Sequence, residues 1–154
     1  MVVLAVAALA ATATAGARPA SPTLAAAPGV SVDGAVNAPA TFTLAQLAAL
    51  PQTTVTVPAA VPSGRTTTYT GVSLEDLVTL AQPLLPKAKN ALLRVTVDVR
   101  DESGRVVTFA LGELDPSFGN HPAYLVLTRD GVPLRDAPEL LVPGDTVSTR
   151  SLGG

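Results

Sequence analysis

The side chains able to take part in chemistry are few in this chain, and their scarcity excludes whole classes of site. Among 154 residues there is one histidine, His121, and no cysteine. A thiolate zinc site, an iron–sulfur cluster, a cysteine nucleophile and a disulfide framework are therefore excluded. His121 lies between Asn120 and Pro122, and it has no second imidazole or thiolate with which to share a metal. We expect it to be a surface loop residue.

Other signatures of chemistry are absent or weak. The chain contains no G-x-S-x-G, which would place a serine nucleophile on an elbow. It contains neither G-x-x-x-x-G-K-[ST] nor G-x-G-x-x-G, which would cradle a phosphate. Asp98, Asp101 and Glu102 lie beside a predicted turn, where solvated carboxylates explain them better than a catalytic acid–base pair. Motifs alone therefore indicate no reaction.

Composition and charge narrow the class of protein. Hydrophobic residues make up 47% of the chain, charged residues make up 14%, and the formal net charge is −2. An average soluble domain carries about 25% charged residues, so this chain is apolar and does not have the composition of a disordered one. The negative charge gives no basic footprint for nucleic acid. A chain of 154 residues has room for one domain.

Hydrophobic periodicity predicts the strands that must position these groups. Several short runs alternate in polarity with a period of two and end in turn signals such as Asp33-Gly34 or Asp130-Gly131. The predicted strands cover 30–32, 53–57, 65–70, 93–99, 107–111, 124–127 and 140–142. Because most of them follow one another through turns, we expect an α+β fold with a mixed, largely antiparallel sheet and short inserted helices.

Two of these helices are predicted from their capping residues. Thr43 caps the first, which Pro51 closes, and Ser73 caps the second. Glu75 and Asp76 follow Ser73 in the first turn, where the helix dipole favours negative charge. The apolar positions expected to face the core are Leu44, Leu47 and Ala48 in the first helix and Leu74, Leu77, Val78 and Ala81 in the second.

Several spaced segments occur in an order that resembles a known family. They are Y-T-G-V-S-L-E-D-L at 69–77, the strand at 93–99 with the turn at 101–104, Y-L-V-L at 124–127, D-G-V-P-L at 130–134, and L-V-P-G-D at 141–145 with Arg150 after it. This order resembles the oxidoreductase molybdopterin-binding domain family, which has the fold of sulfite oxidase and its small exported relatives. The resemblance covers residues 29–150 and implies that fold.

The resemblance also implies where a cofactor would bind. Members of the family hold the pterin phosphate with backbone and basic groups near the loop that corresponds to 143–150. The implied cofactor-binding residues are therefore Arg150, Gly144 and Asp145, with Arg135 as a weaker candidate. A guanidinium fork suits a phosphate dianion. The implied cofactor is molybdopterin, and a redox partner subunit is implied with it; no metal ligand or catalytic residue is assigned.

Two departures from the family bear on catalysis and leave two functions open. The family holds molybdenum through one cysteine thiolate, and this chain has no cysteine. The family's arginine before the proline corresponds to Glu139, which reverses the charge beside the implied phosphate site.

One function is an oxidoreductase-like domain that binds a pterin cofactor without the cysteine. The alternative is a non-catalytic exported module that keeps only the fold and binds a protein or a small ligand. Whether the chain is an enzyme is left open.

The N-terminal residues predict export. Residues 2–17 are apolar and uncharged, too few to span a bilayer, and end in Ala15-Gly16-Ala17, a small-x-small pattern that suits signal-peptide cleavage. We expect a signal peptide at 1–17, a proline- and alanine-rich linker at 18–28, and a domain at 29–154 that is truncated at its C-terminal strand, with an exposed sheet edge. The mature chain is expected to be periplasmic or secreted, with no membrane span.

Overall fold

The structure consists of two β-sheets with short helices inserted between their strands. The computed structural model describes residues 2–8, 29–58, 65–135, 137–145, 150 and 152. In chain order its strands are β1 (Val2–Ala8), β2 (Gly29–Gly34), β3 (Ala40–Thr43), β4 (Thr53–Pro58), β5 (Thr66–Ser73), β6 (Val95–Arg100), β7 (Val106–Ala110), β8 (Tyr124–Arg129), β9 (Val132–Pro133) and β10 (Glu139–Leu141). The helices are α1 (Leu44–Ala49), α2 (Leu74–Leu80) and α3 (Leu111–Leu114), and a 3₁₀ helix covers Ala91–Arg94.

Most neighbouring strands run antiparallel. The first sheet has the order β3-β2-β1-β6-β7, and the second has the order β10-β8-β5-β4, with β9 paired to β8. β1 and β2 are parallel, whereas the other described pairs of strands are antiparallel. The predicted α+β class with largely antiparallel pairing is confirmed. The strands are divided between two sheets, however, where the sequence predicted one.

Both sheets contribute to one hydrophobic core, which explains why two sheets form. Each sheet has an apolar face, and the two faces share the same buried cluster instead of exposing their valines and leucines. The largest fully buried side chains are Phe109, Leu47, Leu74, Leu77, Leu125, Leu140, Val30, Val32, Val72 and Val78. Among the described residues, no polar or charged residue is fully buried. Any chemistry of the described residues therefore takes place at the rim of the core.

The predicted helix caps are present. The Thr43 hydroxyl accepts a hydrogen bond from the Gln46 amide at 3.2 Å, and the Gln46 side chain accepts one from the Thr43 amide at 2.8 Å, which completes a capping box for α1. The Ser73 hydroxyl accepts from the Asp76 amide at 3.4 Å at the start of α2. The predicted stripe of α2 is buried through Leu74, Leu77 and Val78.

Two leucines predicted to lie in strands lie in helices instead. The alternating pattern extends back to Leu93, but this residue belongs to the 3₁₀ helix and is 48% exposed, since β6 begins only at Val95. Leu111 opens α3 because β7 ends at Ala110. In both places the alternating pattern continues into a helical turn. Periodicity alone therefore started β6 two residues too early and ended β7 one residue too late.

Gly71 is needed for a close approach of two strands. β5 ends only at Ser73 and continues through Gly71. A Cβ at this position would lie 2.2 Å from the carbonyl oxygen of Leu125 and 2.7 Å from the Cα of Val126, both in the β8 backbone. The pairing of β5 with β8 also shifts register between Thr70 and Gly71. Only a residue without a Cβ fits this bulge.

Strand β1 consists of residues that the sequence assigns to the export signal. It lies between β2 and β6 and pairs with both. The rest of the predicted signal peptide, residue 1 and 9–17, and the whole predicted linker, 18–28, lie outside the described residues, so that export stays a prediction. Within the described ranges, no helix combines the length and the apolar character that crossing a membrane requires.

The other end of the described chain reaches the edge of the second sheet. Leu152 forms an isolated antiparallel bridge with Leu140 of β10, and the Leu140 amide donates to the Leu152 carbonyl at 2.8 Å. Part of the edge that the sequence predicts to be open is therefore covered by the chain itself. The predicted truncation of the final strand stays a prediction.

Candidate functional site

Four charged or titratable side chains meet beside the loop that follows β10. We call Arg150, Asp145, Glu113 and His121 the Arg150 cluster. Arg150 Nε donates to Asp145 Oδ2 at 2.8 Å, and its Nη2 donates to Asp145 Oδ1 at 2.6 Å. Its Nη1 donates to Glu113 Oε1 at 2.7 Å. His121 Nε2 lies 3.3 Å from Asp145 Oδ1. One guanidinium therefore holds two carboxylates, and one of these also contacts the imidazole.

Backbone hydrogen bonds from three segments hold the cluster in place. The Asp145 amide donates to the Val142 carbonyl at 3.2 Å, which closes the turn through Pro143 and Gly144. The His121 amide donates to the carbonyl of Glu113 in α3 at 2.9 Å, so that the histidine loop is tied directly to the helix. These backbone hydrogen bonds hold the segments that carry the two acids and the histidine without any contribution from the Arg150 side chain.

The buried ring of Phe109 supports the guanidinium from one side. The Arg150 Cζ lies 5.1 Å from the centre of this ring, a distance at which a cation is attracted to the aromatic face. Phe109 is fully buried in β7. The first sheet, α3 and the loop after β10 therefore all contribute to the surroundings of one arginine.

Gly144 leaves room for the histidine ring. A Cβ at this position would lie 2.7 Å from His121 Cε1 and 2.9 Å from Nε2, closer than real Cβ atoms approach other atoms. The role that the structure gives Gly144 is steric, since it allows the imidazole to lie against the backbone of the turn and reach Asp145. A larger residue would displace the ring.

The charged side chains of the Arg150 cluster neutralise mainly one another. The Arg150 guanidinium holds the pKa of Asp145 below its ordinary value, and the contact with His121 adds to this effect. The hydrogen bonds to Asp145 and Glu113 raise the pKa of Arg150. One cation faces two anions, so that the cluster carries a formal charge of −1 when His121 is neutral. Such a site repels a further anion.

The residues implied as a cofactor site are partly brought together. Arg150, Gly144 and Asp145 do converge, whereas Arg135 lies exposed after β9, and no described contact joins it to the cluster. Glu139, which reverses the family's charge, accepts a hydrogen bond from Arg129 Nη2 at 2.5 Å. Arg129 in turn lies over the ring of Tyr69 at 5.6 Å. The Glu139 carboxylate is therefore matched by a cation of its own.

The described residues do not fit a molybdenum cofactor of the kind that the resemblance implies. The chain has no cysteine to supply the thiolate. In the described part of the chain, no group of three or more histidine, cysteine, aspartate or glutamate side chains is arranged to hold a metal ion. The three guanidinium nitrogens that would meet a phosphate already donate to Asp145 and Glu113. A phosphate would have to displace at least one of these carboxylates.

Sequence reasoning missed two members of the cluster. His121 lies in a loop with 34% of its side chain exposed, as predicted, but the sequence did not indicate its contact with Asp145. Glu113 received no role, and it is 37 residues distant from Arg150 in the chain. No local pattern links residues at such separations, so that only the folded chain reveals the contact.

An apolar groove lies against α1 and the β8–β9 hairpin. We call it the α1–β8 groove; its volume is about 350 Å³. Leu44, Ala45, Ala48, Leu127, Thr128, Pro133, Leu134, Ala137 and Pro138 line it. All of these residues except Thr128 are apolar, and none is charged. Pockets that bind small molecules have volumes of about 300–1,000 Å³ and mostly apolar walls, and this groove has both properties.

Comparison with known proteins does not assign the chain to a family. Neither the protein-family models nor the curated proteins contain a match to it. The function must therefore be inferred from the groove and the cluster themselves.

Proposed function

We propose that this domain is a non-catalytic binding module that takes up a small, uncharged apolar ligand in the α1–β8 groove. The observation that carries the proposal is the lining, in which eight of nine residues are apolar and none is charged. A charged ligand would lose its hydration there without gaining a partner, whereas an apolar one gains by leaving water. We further propose that the module keeps the sulfite-oxidase-type fold and acts after export.

The Arg150 cluster supports this proposal because its polar groups bind one another. A catalytic site needs groups that are free to meet a substrate, but the donors of Arg150 point to Asp145 and Glu113. His121, the one histidine of the chain, contacts the same Asp145. The cluster thus has the arrangement of a structural clamp between α3 and the loop after β10.

A second candidate function is pterin binding through the residues that the resemblance implies. The convergence of Arg150, Gly144 and Asp145 in one place favours it. Under this proposal the pterin phosphate replaces Asp145 or Glu113 on the Arg150 guanidinium. An oxidoreductase role would then require a partner subunit to supply what the missing cysteine does not.

A larger side chain that fills the α1–β8 groove tests whether the ligand binds there. Ala48 was predicted to face the core, but it is exposed on α1 and lines the groove. An Ala48→Trp side chain would therefore occupy the groove without disturbing the core. We expect the unaltered domain to bind the neutral dye Nile red with a rise in dye fluorescence, and Ala48→Trp to weaken this binding at least about tenfold.

The matched control is Ala49→Trp, which changes the next exposed residue of the same helix outside the groove lining. It should leave dye binding unchanged. Because the natural chain has no tryptophan, each variant also carries a single fluorescent reporter of its own environment. Equal dye binding by both variants, or none by the unaltered domain, would refute the groove as the ligand site.

The pterin proposal is tested by analysis of the exported protein for molybdenum and pterin. Stoichiometric pterin that disappears in Arg150→Ala, while circular dichroism shows that the variant is folded, would establish the second candidate. Protein that carries neither group after expression in cells that make the cofactor would exclude it.

A further inference from the structure

A second cavity has an apolar body and two carboxylates. It is bounded by α2, the loop after α2, the 3₁₀ helix and the end of α3, and its volume is about 240 Å³. We call it the α2–α3 cavity. Pro83, Leu85, Leu92 and Leu111 form its apolar walls, and Glu75, Thr79 and Asp115 are its polar lining residues. An apolar engineered cavity of about 150 Å³ is known to hold benzene, so that this space has room for a ring and a short chain.

The two carboxylates lack a cationic partner within the described part of the chain. Burial, followed by repulsion from Asp76 and Asp115, raises the pKa of Glu75 above its ordinary value. Asp115 has a lowered pKa, since the Ser117 hydroxyl and amide both donate to its Oδ1, at 2.5 Å and 2.7 Å. These donors are neutral, so that the negative charge at the cavity is not compensated. A bound cation would relieve the repulsion that Glu75 experiences.

One wall residue of the cavity is itself partly exposed to solvent. Leu85 lines the cavity and is 47% exposed. A half-exposed leucine beside an apolar concave surface is apolar area that a ligand can cover.

We propose that the α2–α3 cavity binds a small organic cation, in which an ammonium group is joined to an apolar body about the size of a benzene ring. The apolar body contacts the leucine walls, while the ammonium lies between Glu75 and Asp115. A neutral ligand would leave both carboxylates without a cationic partner, and an anion would add a third negative charge. This site is separate from the α1–β8 groove. The groove is proposed to bind an uncharged ligand and the cavity a cation, so that the second site extends the proposed function.

The test compares three probes of nearly the same shape. Phenethylammonium carries the cation, 2-phenylethanol is its neutral counterpart, and 3-phenylpropionate is the anion. Isothermal titration at pH 7 should show that the domain binds phenethylammonium about tenfold or more tighter than the alcohol and does not bind the anion. Equal affinity for the amine and the alcohol would overturn the proposal, and so would the absence of binding by the amine at millimolar concentration.

Variants assign the binding to the cavity. Glu75→Gln and Asp115→Asn should each weaken phenethylammonium binding about fivefold and leave the alcohol unaffected. Asp76→Asn is the matched control, because Asp76 is the exposed neighbour of Glu75 on α2 and does not line the cavity. A loss in Asp76→Asn equal to that in Glu75→Gln would mean that the net charge of the surface attracts the amine, and would overturn the site.

Circular dichroism confirms that each variant is folded before titration. Ala48→Trp, which fills the α1–β8 groove, should leave amine binding intact, and Glu75→Gln should leave Nile red binding intact. The failure of one proposal can therefore be told from the failure of the other.

Discussion

Replacing Arg150 by alanine should destabilise the domain even when no ligand is present. The substitution removes a bidentate ion pair with Asp145 and a hydrogen bond to Glu113, and it leaves both carboxylates near each other without a cation. It also removes the guanidinium from the face of Phe109. The expected result is a lower free energy of unfolding, because Arg150 joins α3, β7 and the loop after β10.

The size of the loss follows from the geometry. The side chains of Arg150 and Asp145 are 27% and 14% exposed, so that their bidentate pair is only partly screened by water and contributes about 1–2 kcal/mol. The more exposed contact with Glu113 adds about 0.5 kcal/mol. The interaction with the Phe109 ring adds about 0.5 kcal/mol. Arg150→Ala should therefore cost about 2–3 kcal/mol, within the range of single substitutions that break a charged network.

Urea unfolding followed by circular dichroism measures the loss. Arg129→Ala is the matched control, since Arg129 also pairs with a carboxylate, that of Glu139, and lies over a ring, that of Tyr69. Its side chain is 47% exposed, and it holds only one carboxylate, so that its removal should cost about 0.5–1 kcal/mol. Arg150→Lys should lose about half as much as Arg150→Ala, because an ammonium cannot form the bidentate pair.

A loss in Arg150→Ala no larger than in Arg129→Ala would contradict the structural role. It would mean that the guanidinium contributes little to the stability of the free domain.

Two further outcomes test the bulge at Gly71 and the turn between β6 and β7. Gly71→Ala should lower the free energy of unfolding in urea by more than about 3 kcal/mol or prevent folding, because its Cβ would lie 2.2 Å from the Leu125 carbonyl oxygen. Gly104→Ala is the control: Gly104 has a φ of +84° and open space around it, so this change should cost only about 1 kcal/mol. Equal costs would refute the close approach at Gly71. The hydrogen bond from Ser103, together with Arg105, lowers the pKa of Asp101 to about 2, so that its stabilising contribution is complete above the unfolded pKa of about 3.9 and is lost as the pH falls toward 2. An NMR titration of the Asp101 carboxyl should give this value and show it rise in Ser103→Ala; an unshifted carboxyl would contradict the hairpin contacts.

Features with a local signal were predictable from the sequence. The Thr43 capping box depends on residues three apart, and the buried stripe of α2 depends on spacings of one helical turn. The turn at Asp130-Gly131 depends on adjacent residues, one of them a glycine with φ +78°. In each case the interacting groups lie within a few residues of one another in the chain, so that a local sequence pattern is enough to predict the contact.

Features that depend on distant contacts were not predictable in the same way. The partners of Arg150 include Glu113, and the Cβ that Gly71 avoids would meet β8, more than fifty residues further along the chain. The division into two sheets depends on which strands become neighbours, and alternation of polarity records only which face of a strand is buried. Asp145 and Arg150 were identified from the sequence, whereas the contact of Glu113 with Arg150 and that of His121 with Asp145 were not.

The position of β1 sets an order of events for any chain that loses its first seventeen residues. A strand hydrogen-bonded to β2 on one side and to β6 on the other cannot at the same moment lie extended in a peptidase. Processing would therefore have to come before the first sheet closes. The processed chain would then hold two ribbons, β3-β2 and β6-β7, separated by a slot about 10 Å across. The edges of β2 and β6 that face this slot would then have unpaired backbone amide and carbonyl groups, with which another extended segment could form hydrogen bonds.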